Sequence, residues 1–117
     1  MQPTDLSPLR LAERLTEANT NLVDEQYLLS KAKYEVMQAR EQLKNAETTL
    51  ILAGLEGKNA ETRNAQLAQQ TASERVILQA AEQTLLTAEA SFAIARLKWR
   101  LACELNQLVI AQHAVRS

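Results

Sequence analysis

Between Pro8 and Gly54 the chain has no glycine and no proline, and a single hydrophobic repeat runs along that stretch. Leu15, Ala18, Leu22, Glu25, Leu29, Ala32, Val36, Ala39, Leu43, Ala46, Leu50 and Ala53 follow one another in alternating steps of three and four. That spacing keeps the side chains on one stripe of an α-helix, whereas a strand would send alternate residues to opposite faces. One position of the repeat is bulky and the other is nearly always alanine, with Glu25 the departure. The second half repeats the arrangement with Leu78, Ala81, Leu85, Ala88, Phe92, Ala95, Trp99 and Ala102, then Asn106, Val109 and His113. Alanine leaves space for the large residue facing it, so two such stripes suit close helix pairing.

The helix ends carry their own signals. Ser7 can cap a helix whose first position is Pro8, where a missing N–H loses no hydrogen bond. Gly54 suits the left-handed residue that ends a helix, and Gly57 completes the reversal. Thr71-Ala72-Ser73-Glu74 reads as a capping box for the second long helix, with Thr71 satisfying a free backbone N–H and Glu74 reaching back. Helices are expected at about 8–53 and 72–116, each roughly 70 Å long at about 1.5 Å per residue. Residues 58–70 are polar, and Asn59-Ala60-Glu61 can open a short helical connector, which could also run straight into the second long helix. The fold class is all-α: a long antiparallel two-helix hairpin of Ala/Leu coiled-coil type, one domain over 1–117, assembling into a helical bundle. Facing positions are expected to sum to about 127, within half a heptad. Trp99 then lies near Tyr27 to Leu29, and Phe92 near Tyr34 to Val36.

Composition narrows the partners. The formal net charge is −1 and the isoelectric point near 5.9, which gives no general attraction to nucleic acid or to an anionic membrane. No apolar run approaches the roughly 20 residues of a membrane span, and no signal arrangement stands at the N-terminus. One cysteine, Cys103, cannot close an internal disulfide. The expected location is the cytoplasm, with no membrane partner.

A second apolar stripe marks the last third of the chain: Ala90, Ile94, Leu97, Leu101, Leu105 and Leu108. At about 100° per residue it lies nearly opposite the Phe92, Trp99, Ala102 stripe. Val23, Tyr27, Tyr34 and Met37 form a weaker second row on the first helix, expected to flank the same region. A hairpin covers one face of each helix, and large aliphatics left in water forfeit about 1.5–3 kcal/mol apiece. Homo-oligomerisation through Ile94, Leu97, Leu101, Leu105 and Leu108 is therefore expected, most simply as a dimer forming a four-helix bundle.

Other candidates carry less chemistry. "GLEGKN", Gly54 to Asn59, has glycines followed by lysine, but a phosphate loop needs four residues between its glycines, a hydroxyl residue after the lysine and a preceding strand. Lys58, Asn59, Glu61 and Arg63 gather at the turn, where an exposed polar tip could bind a partner or an anion; a capped, solvated connector with local ion pairs is the plainer reading. Arg96, Lys98 and Arg100 form a basic cluster expected to pair with Asp24, Glu25 and Glu35 across the hairpin. Glu25 and Asn106 interrupt apolar stripes and are expected to fix register. The single histidine, His113, has no nucleophile or carboxylate arrangement around it, and no residue set has metal-ligand spacing. No catalytic residue, metal or cofactor is assigned, and Cys103 reads as a small buried hydrophobe.

Gly57, Lys58, Asn59, Ala60, Glu61 and Arg63 compose a G-K-N-A-E-x-R connector between a long helix and an Ala/Leu-rich one. This resembles small helical-hairpin proteins of bacteria and their phages, over about fifteen residues, and implies a helical hairpin of phage-like origin. The functional expectation is a non-enzymatic assembly or interaction module whose partner is a copy of itself or another helical protein. The alternative is a phage-type nucleic-acid accessory protein whose basic patches, Arg96, Lys98 and Arg100 or the Lys58/Arg63 tip, are repeated by oligomerisation.

Overall fold

Helix α1 (Pro8–Ala53) begins where its cap predicts. The Arg10 N–H donates to Ser7 Oγ at 3.3 Å and the Leu11 N–H to the Ser7 carbonyl at 2.9 Å. The structure is a computed structural model that describes residues 7–116, without the side chains of His113 and Arg116. Residues 1–6, on which the signal reading falls, lie outside the described residues, as does the His113 side chain. Two further helices follow, α2 (Ala60–Gln70) and α3 (Ala72–Arg116), and among the described residues there is no strand. The chain is an all-α helical hairpin, with α1 and α3 as its long arms.

The two glycines of the turn do different things. Gly54 takes φ +89, and its N–H donates to the Ile51 carbonyl at 3.2 Å, which ends α1 in the left-handed conformation that glycine adopts without a Cβ clash. No atom lies within 4 Å of where its Cβ would stand, so the requirement there is one of backbone conformation only. Gly57 is needed for space. A Cβ on it would stand 2.7 Å from the Arg63 backbone nitrogen and 2.8 Å from Arg63 Cγ. The turn is thus pressed against the first turn of α2. Between Gly57 and α2, Asn59 caps the helix: its backbone is extended (φ −142, ψ 172) and its Oδ1 accepts from the Thr62 N–H at 2.8 Å.

A single non-helical residue, Thr71, separates α2 from α3, so the connector is its own helix. The capping box expected there does not form. The Thr71 hydroxyl donates to the Leu67 carbonyl at 2.8 Å and accepts from Arg75 Nε at 2.9 Å, while the Glu74 carboxylate accepts from Ser73 Oγ. The physical reason is that Thr71 ends α2 as well as beginning α3; its own N–H still bonds the Leu67 carbonyl at 3.1 Å, and its side chain is drawn backward into α2. Thr71 is fully buried, at 0 % exposure. Arg75 then extends the connection: its Nη2 donates to Glu47 Oε1 at 3.2 Å and ties the joint to α1.

Packing divides the chain into two units through which α1 and α3 both run. One unit contains the start of α1, to Leu29, and the end of α3, from Ala88; the other contains Ser30–Thr87. In each, most of the predicted stripe faces inward, with Trp99 left 39 % exposed. Ala32, Val36 and Ala39 are 2–4 % exposed in the second unit, and Ala88, Ala95 and Val109 are 9 %, 1 % and 7 % exposed in the first. Leu11 at 2 % adds a turn to the stripe before Leu15. Ala53, the last predicted stripe position on α1, is exposed.

The register differs from expectation by about one heptad. Glu47 faces Arg75, a sum of 122, and in the same unit Gln38 and Ala81 line one cleft, a sum of 119. In the other unit Trp99 shares a cleft with Leu15, Thr16 and Asn19, well before Tyr27. Tyr27 and Tyr34 stand 68 % and 58 % exposed, so the expected gathering of aromatics around Trp99 is not formed. Two features accompany the shift. Because both stripes repeat every seven residues, a slip of one heptad leaves stripe facing stripe. The connector sits beside the end of α1, where Ile51 shares a cleft with Leu55, Ala60, Arg63, Asn64 and Leu67, and the start of α3 falls about two turns further back along α1 than expected.

Gly57→Ala should lower stability by about 1–3 kcal/mol, through forced repacking against the Arg63 backbone, and Gly54→Ala by about 1–2 kcal/mol, through conformation only. Urea unfolding followed by circular dichroism measures both, and a Gly57→Ala protein as stable as the wild type would contradict the close approach. Thr71→Val, which keeps the shape and removes the hydroxyl, should cost about 1–2 kcal/mol because Arg75 loses its anchor; an unchanged denaturation midpoint would remove Thr71 from the joint.

Candidate functional site

The residues expected to form an oligomer interface are all solvent-facing in the single chain. Ile94 is 53 % exposed, Leu97 56 %, Leu101 58 %, Leu105 39 % and Leu108 61 %. They occupy one helical face through steps of three and four along α3, within a single packing unit, while the Ala88, Ala95, Val109 stripe of the same helix is turned inward against α1. Leu101 and Leu105 also border a groove of about 400 Å³ whose other wall is Leu11, Arg14, Glu17, Ala18 and Asn21 of α1. The exposed row of α3 therefore reaches a groove between the two helices that carries both apolar and charged residues. The second α1 row, Val23, Tyr27, Tyr34 and Met37, is exposed too, at 56–68 %. Gln38 Nε2 donates to the Tyr34 hydroxyl at 2.8 Å within that row.

The unit formed by Ser30–Thr87 has a charged contact between its helices. There Glu47 pairs with Arg75, and the positions one heptad onward, Arg40 on α1 and Glu82 on α3, carry the reversed charges. Opposite charges repeated at facing heptad positions of an antiparallel pair favour one register over its neighbours. Arg75 and Glu47 keep 45 % and 31 % of their side-chain surface, so water screens the pair and it contributes at most about 1 kcal/mol. The sequence pattern missed this role for Glu47 and Arg75. The alternation of charge at seven-residue spacing was the available signal.

The basic cluster does not pair as expected. Among the described residues the ion pairs are Arg10 with Glu13 and Arg75 with Glu47. Arg96 instead lies over the Phe92 ring, 5.9 Å from its centre, and Lys98 borders the groove beside Glu17 and Asn21, not Asp24 or Glu25. The one-heptad register shift is the cause, since it carries each α3 residue past its expected partners. Glu25 is half-buried on the stripe, and Asn106 is half-buried near Val109.

At the tip, Lys58, Asn59, Glu61 and Arg63 are all exposed. Asn59 is committed to the cap and the Arg63 backbone to the Gly57 contact, and no ion pair joins Lys58, Glu61 and Arg63. The solvated connector is capped without the local ion pairs expected of it. Cys103 is a free, half-buried thiol in a cleft with Leu15, Asn19 and Trp99. Among the described residues no group of His, Cys, Asp and Glu could hold a metal ion, and no helix is long and apolar enough to cross a membrane.

No protein family, curated protein or solved structure matches the chain.

Proposed function

We propose that this protein is a non-enzymatic helical assembly module that associates with copies of itself through the outer face of α3. The observation that carries the reading is the row Ile94, Leu97, Leu101, Leu105 and Leu108, 39–61 % exposed on a helix whose opposite face is already packed. Apolar surface of that extent on a charged, alanine-rich hairpin is stabilised by covering it, and a second hairpin supplies a matching apolar stripe. The groove that Leu101 and Leu105 share with Leu11 and Ala18 gives the incoming helix a place to enter, with Arg14, Glu17 and Lys98 along its lining.

Sedimentation analysis tests the reading. The wild-type protein should sediment as a dimer or larger at micromolar concentration. Replacing Leu97 and Leu101 together by Glu should give smaller species while the helical circular-dichroism signal persists, because neither side chain contributes to the packed stripe. A stable wild-type monomer, or unchanged assembly in the double variant, would overturn the reading.

A further inference from the structure

We draw no further inference here: the strongest candidate, the exposed row of α3 from Ile94 to Leu108 with the groove beside it, carries nothing beyond the assembly reading because nothing in the structure shows what covers it.

Discussion

Everything in this hairpin depends on how closely its two long helices approach, and alanine sets that distance. In the stripes of α1 and α3 a bulky residue alternates with alanine, and Ala32, Ala39, Ala88 and Ala95 are almost fully enclosed. An alanine contributes little apolar surface itself, but it lets the opposing leucine, valine or aromatic ring settle against backbone. The stripe is narrow as a result. Both long helices keep large side chains outside it, which is why a chain with an ordered interior still leaves Leu97, Leu101 and Leu108 more than half exposed.

The elements and their inward faces were legible in the sequence because they rest on local rules. A heptad repeat, Ser7 before Pro8, Gly54 after the last stripe residue and Asn59 before α2 each determine something within a few residues of themselves. Register was not legible, and the reason is translational: a repeat of seven matches itself after every seven residues, so stripe geometry ranks several pairings alike. The choice is made by features off the stripe. Leu55 and Leu67 of the connector share a cleft with Ile51, while Thr71 and Arg75 fasten the joint to Glu47. The Thr71 misreading has a related origin, since its side chain serves the helix behind it while the sequence signature describes only the helix ahead.

The candidate surface was read at the level of residues but not of shape. Hydrophobic spacing identified Ile94 to Leu108 as a face, yet only the folded pair shows Leu101 and Leu105 also bordering a groove with Leu11 and Ala18. The same groove carries Arg14, Glu17 and Lys98, so charge lies beside the aliphatic row.

Gly57 draws the last consequence. Its missing Cβ lets the turn rest directly on the backbone of α2, and Asn59 closes the helix end two residues on, which leaves the reversal no slack. The connector behaves as a ruler of fixed length. Where each arm meets the other is measured from that end, so a hairpin built this way can lengthen only in matched steps, a heptad added to α1 answered by a heptad in α3. Its size is quantised by the repeat and its alignment is set at the turn.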